Sequence, residues 1–96
     1  MYGTIARIRV KPGKEAELRR LGNEMAPQIP GLVFQHVYRT DADPNECYLA
    51  LAFASKEAYR ANAGNPDQRA RHQQYRALLD ADPEWHDGEI VDSYPA

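Results

Sequence analysis

The segment Cys47-Tyr48-Leu49-Ala50-Leu51-Ala52-Phe53-Ala54 carries no charge and runs straight into Ser55-Lys56-Glu57-Ala58. On a strand, successive side chains point to opposite faces. Cys47, Leu49, Leu51 and Phe53 therefore share one face, and Tyr48, Ala50, Ala52 and Ala54 share the other. The first face is bulky and the second small, yet neither suits water. An antiparallel sheet covered by helices on one side normally keeps a polar face toward solvent. This strand has no such face, and the chain is too short to build a second covering layer. A partner subunit is expected over the alanine face, and a pocket over the Leu51–Phe53 face.

The rest of the chain supplies a simple element order. Tyr2 to Val10 sets Thr4, Ala6, Ile8 and Val10 against Ile5, Arg7 and Arg9, the alternation of a first strand. Lys11-Pro12-Gly13 breaks it. From Lys14 onward Leu18, Leu21 and Met25 recur at helical spacing, and Pro27 with Pro30-Gly31 ends that helix. A second strand is expected over Leu32 to Arg39, with Leu32, Phe34, His36 and Tyr38 opposite Val33, Gln35 and Val37. Asp41-Ala42-Asp43-Pro44-Asn45 is a turn. Ser55 caps a short helix bearing Tyr59 and Asn62, Gly64 interrupts it, and Asn65-Pro66 restarts it. That last helix is expected to turn Tyr75, Leu78 and Leu79 inward and to close at Asp82-Pro83, with a fourth strand over Trp85 to Tyr94. The order βαββαβ predicts an α+β fold, a ferredoxin-like sandwich with a four-stranded antiparallel sheet on one helix layer. Two such sheets packed face to face would bury Tyr48, Ala50 and Ala52 in a homodimer, a dimeric α+β barrel.

Composition narrows the function classes. The 96 residues are expected to form a single domain spanning 1–96, with 12 Lys plus Arg against 14 Asp plus Glu and a net charge of −2. The basic residues are dispersed, so no nucleic acid partner is expected. One cysteine, Cys47, allows no internal disulfide and reads as a small core residue in a reducing compartment. No apolar run approaches the roughly 20 residues of a membrane span, and Met1 to Arg7 lacks the pattern of a secretory signal. A soluble cytoplasmic protein without a membrane partner is the expectation.

No glycine-rich phosphate loop, nucleophile elbow or pair of histidines at metal spacing is present. Candidate site residues must come from the pocket face. His72 lies three before Tyr75 and seven before Leu79, tilted toward the buried stripe of its helix. There it can act as general base, hydrogen-bond donor or haem ligand, or simply sit at the helix edge. His36 alternates with Phe34 and Tyr38 and faces either the dimer cavity or the pocket. His86 reads as a surface residue and Trp85 as a packing anchor. Tyr59 and Asn62 share a helix face, able to present a phenol and an amide above Phe53 or to serve as core residue and cap. No carboxylate sits in an evidently apolar setting.

Val10-Lys11-Pro12-Gly13-Lys14, Pro30-Gly31, Asp43-Pro44 and the third strand passing into Ser55-Lys56-Glu57-Ala58-Tyr59 resemble the antibiotic biosynthesis monooxygenase family. The resemblance runs from Ile5 to about Leu79 and implies a ferredoxin-like homodimer with a pocket between each sheet and its own helices. It also implies a monooxygenase that oxidises a quinol, phenolic or polycyclic aromatic substrate with O₂ and needs no cofactor or metal. The substrate anion itself reduces oxygen, while the protein binds, deprotonates and excludes water. Carried onto this chain, His72 and Asn62 become the catalytic candidates. The resemblance also places Phe53 at the pocket, and residue spacing adds Leu51, Tyr59, Tyr75 and His36 as substrate-binding candidates for a small aromatic ligand. Many relatives carry tryptophan at the position of Phe53 and histidine at that of Asn62, which leaves a non-catalytic dimeric binding module as the alternative. The haem-degrading branch, aligned at Ala6, Asn62 and His72, shares only the histidine.

Overall fold

A computed structural model describes residues 1–95. Four strands form one antiparallel sheet: β1 (Tyr2–Arg9), β2 (Leu32–Arg39), β3 (Glu46–Phe53) and β4 (Glu84–Glu89). Their spatial order is β2-β3-β1-β4, so the two strands that carry fully buried residues lie in the middle. Helices α1 (Glu15–Met25), α2 (Lys56–Ala63) and α3 (Pro66–Arg76) cover one face, with a single 3₁₀ turn at Ala26–Gln28 after α1. This is the expected α+β ferredoxin-like arrangement.

The local chemistry explains the helix starts. Ser55 is extended, and its hydroxyl accepts from the Ala58 backbone N–H; Asn65 does the same for Asp67, with Pro66 in the first turn. Gly31 sits at φ +79°, and a Cβ there would stand 2.8 Å from the Ala58 Cβ. That contact brings the β2 entry against α2. At Gly3 a Cβ would overlap the Leu51 carbonyl oxygen, so β1 and β3 approach there in a way only glycine permits.

The β1–β3 register pairs Thr4 with Leu51, Ala6 with Leu49 and Ile8 with Cys47. These residues turn toward the helices. At one end they meet Val10, Leu18, Leu78 and Leu79 in a closed core whose members are all under 10% exposed. At the other end the layer is not filled, and a cavity remains.

The structure differs from the sequence expectation at two boundaries and in one register. The last helix stops at Arg76 rather than at Asp82-Pro83, because the chain is drawn off to pair with the end of β1. Leu79 bridges Val10, Lys11 N–H donates to the Leu78 carbonyl, and Asp80 N–H donates to that of Arg9. The fourth strand stops at Glu89 rather than Tyr94. The last bond of this pairing runs from Ile90 N–H to the Met1 carbonyl. In β2 a register shift between Leu32 and Phe34 breaks the expected alternation. Leu32 opposes Phe53 and turns toward the helices, whereas Phe34, His36 and Tyr38 oppose Ala52, Ala50 and Tyr48 on the other face.

That other face has no covering layer among the described residues. Ile5 and Tyr38 are 55% and 58% exposed, and the Phe34 and His36 rings lie 5.1 Å apart. Its charged groups, Arg7 with Glu46 and Arg9 with Asp43, gather at one end. No helix among the described residues is long and apolar enough to cross a membrane.

Candidate functional site

The unfilled end of the helix layer holds a cavity of about 460 Å³, within the range usual for small-molecule sites. Its floor is the sheet, where Thr4, Leu49, Leu51 and Phe53 stand on the two central strands. Met25, Ile29 and Leu32 close the α1 side. Trp85 and Asp87 reach in from the edge strand β4, opposite Ala6 and Thr4.

The roof is unusual for a core. Along α3 the residues at the spacing of a buried stripe are Gln68, Arg71, His72 and Tyr75, and all four line the cavity. A helix that only packed a core would carry aliphatic residues there. All four are polar or ionisable and half-buried, an arrangement that suits a ligand better than a hydrophobic interior.

The polar groups are held in definite states. The Tyr59 hydroxyl donates to Asp87 Oδ1 at 2.8 Å. Burial, and then the Asp87 carboxylate, push the Tyr59 pKa above the usual tyrosine value, so its phenol stays neutral. Its proton is committed to Asp87, which leaves the oxygen as an acceptor toward the cavity. The ring packs edge-on against Phe53, with centroids 5.4 Å apart. Asn62 Oδ1 accepts from Arg71 Nη2 at 3.3 Å, leaving the amide nitrogen without a partner among the described residues and free to donate. Arg71 Nε donates in turn to Gln68 Oε1 at 3.1 Å. The His72 ring lies 6.2 Å from that of Trp85, tilted at 43°.

Thr4 is 5% exposed, and its Oγ1 has no hydrogen-bond partner. It is near enough to temper the Tyr59 shift without reaching the geometry of a bond. A buried hydroxyl left in that state costs about 1–3 kcal/mol. It is a group for a ligand or water to satisfy.

His72, Asn62, Leu51, Phe53, Tyr59 and Tyr75 are thus brought together around one cavity. His36 is not among them. It opposes Ala50 on the uncovered face of the sheet, because the register shift in β2 moves only Leu32 to the helix side. Ala6, the first-strand position matched to the haem-degrading branch, is fully buried in the closed core and offers no polar group. Sequence reading passed over Thr4, Arg71 and Asp87 as site residues and took Trp85 for a packing anchor, whereas it lines the cavity. For Trp85 and Asp87 the signal was present, since alternate residues of a strand share a face and Trp85 lies two before Asp87. For Arg71 it was the position next to His72 on the stripe. Among the described residues, no three His, Cys, Asp or Glu side chains are grouped to hold a metal ion.

Comparison with known proteins agrees with this architecture. A candidate antibiotic biosynthesis monooxygenase from Chloroflexus aurantiacus superposes with a TM-score of 0.79 at 26% identity, covering 97% of this chain and 95% of its own. SnoaB, a cofactor-independent oxygenase from Streptomyces nogalater, was solved as a variant with one asparagine replaced by alanine. It gives a TM-score of 0.81 at 18% identity over 99% of this chain and 97% of its own. A Mycobacterium tuberculosis protein gives 0.75 at 21% identity, with 97% of each chain covered. No curated protein matches the sequence. The family model for antibiotic biosynthesis monooxygenases matches residues 1–74, which include the floor of the cavity and most of its roof. The chain belongs to the antibiotic biosynthesis monooxygenase family.

Proposed function

We propose that this protein is a cofactor-independent monooxygenase that oxidises an acidic aromatic substrate, a quinol or an anthrone-like polycycle, with O₂. The observation that carries the reading is the polar stripe of α3 lying over an apolar floor in a cavity of about 460 Å³. Family membership and the fold shared with SnoaB, a cofactor-independent oxygenase, support the reaction class.

In this reading the flat aromatic body lies on Leu51 and Phe53. His72 accepts the proton from the acidic O–H or C–H, and the Asn62 amide nitrogen donates to the oxyanion that results. Tyr59 contributes only as an acceptor, because its own proton is held by Asp87. The resulting carbanion or phenolate is electron-rich enough to reduce O₂. For an anthrone, the CH₂ becomes C=O. One oxygen atom enters the product, the other leaves as water, and the two C–H bonds supply the four electrons.

The working unit in this proposal is a homodimer. A second copy would cover the face that carries Ile5, Phe34, His36, Tyr48 and Ala50, where Ile5 is exposed and the charges lie to one end, while Ala52 on the same face is already buried within the chain. His36 would then belong to the dimer core rather than to substrate.

The test is oxygen uptake over a panel of quinols and anthrones, against autoxidation in buffer. A His72→Ala, Asn62→Ala double variant is expected to lose at least about 100-fold in rate, the usual scale for a general base. Equal rates in wild type and double variant would remove both assigned roles. Ligand-dependent thermal stabilisation with no oxygen consumed would instead identify a binding module.

A further inference from the structure

Arginine pairing on this chain is uneven. Arg7, Arg9, Arg20, Arg39 and Arg76 each have a carboxylate within 4.0 Å: Glu46, Asp43, Glu24, Glu15 and Asp82. Among the described residues Arg19, Arg60, Arg69 and Arg71 have none, and the first three of these are exposed. Arg71 alone is both half-buried and without a counter-ion, and it lines the cavity.

Its setting is built rather than incidental. Nε donates to Gln68 Oε1 and Nη2 to Asn62 Oδ1, both neutral amide oxygens. These bonds fix the guanidinium plane without cancelling its charge. They use two of its five N–H groups and leave three, both on Nη1 and one on Nη2, without a partner among the described residues. An end-on guanidinium edge matches a carboxylate in a bidentate fork, which lysine cannot reproduce. Arg69, exposed at the rim, adds positive potential on the same side, while Asp87 stands across the cavity bound to Tyr59. The cavity is therefore polarised.

We infer that Arg71 is a specificity-determining residue that anchors a carboxylate carried by the substrate, separate from the acidic group that reacts. This rests on the proposed function and names its substrate class: an aromatic acid rather than a neutral polycycle. The Asn62 contact gives the anchor a second effect. Because Arg71 holds Asn62 Oδ1, the same guanidinium that binds the carboxylate also orients the amide nitrogen toward the reacting oxygen.

The probes are 2-naphthoate and 2-naphthamide, which share one ring system and differ in charge. Binding to the full chain is measured by calorimetry, with wild type, Arg71→Met and Arg71→Lys. Wild type is expected to prefer the naphthoate by roughly tenfold or more, the scale of a charge-assisted fork. Arg71→Met is expected to lose that preference while keeping its affinity for the amide, and Arg71→Lys to retain only part of it. No preference in wild type, a preference that survives in Arg71→Met, or binding of neither probe would overturn the anchor. Oxygen uptake separates this claim from the one beneath it. A carboxylate preference lost in Arg71→Met, with no substrate oxidised, would sink the oxygenase and leave the anchor. Oxidation indifferent to substrate charge and to Arg71 would do the reverse.

Discussion

At the residue scale the site is a set of committed hydrogen-bonding states. Tyr59 has given its proton to Asp87, Asn62 has given its carbonyl to Arg71, and Thr4 has given nothing. Tyr75 shows the same economy in the wall between cavity and core, where burial raises its pKa above the ordinary tyrosine value of 10.0. Above pH 10 tyrosine in the unfolded chain loses its proton while native Tyr75 keeps it. The native state then binds more protons, and stability falls as pH rises. Urea midpoints measured from pH 9 to 11 should fall less steeply in Tyr75→Phe than in wild type. Parallel slopes would contradict the burial assigned to that phenol. Residue identities at the site were partly legible in the sequence. His72, Asn62 and Phe53 followed from helix and strand spacing. Arg71 did not, because a charged residue on a helix is read as a solvated one until its neighbours are known to lie over a void. Thr4 was invisible for a similar reason, since a threonine on a strand is common and only its lack of a partner makes it notable.

At the element scale, the helix starts were the most legible features, because capping chemistry is local. Ser55 and Asn65 act through bonds to residues two and three positions away. Asn65→Ala should cost about 1 kcal/mol of stability, the usual loss for such a cap, measurable by denaturant unfolding. A change under a few tenths would show that α3 is held by packing alone. Element ends were less legible because they depend on distant backbone. The last helix yields to the Val10–Leu79 bridge. The bulge after Leu32 belongs to the same class. Gly31 at φ +79° turns the chain into β2 against Ala58, and the strand needs the shift to bring Leu32 over Phe53. A period of two cannot show where it will be interrupted.

At the scale of the whole molecule, one sheet face is filled at one end and hollow at the other, and the opposite face is bare. Both properties trace to Cys47–Ala54. Its bulky side supplies the core and cavity floor, and its small side leaves Ala50 half-buried among exposed aromatic neighbours. If a second copy covers that face, Ala50→Glu would bury an unpaired charge in it and should convert the dimer to monomer in sedimentation at micromolar concentration. A wild type that sediments as a monomer would refute the pairing outright. The central claim, however, concerns the cavity. It is tested most directly by turnover of an anthrone carboxylate under oxygen-18 gas. The account predicts one labelled oxygen atom in the new carbonyl, formed well above the autoxidation rate and lost in the His72→Ala, Asn62→Ala variant. Product forming no faster with protein than without it, or forming equally in the variant, would contradict it.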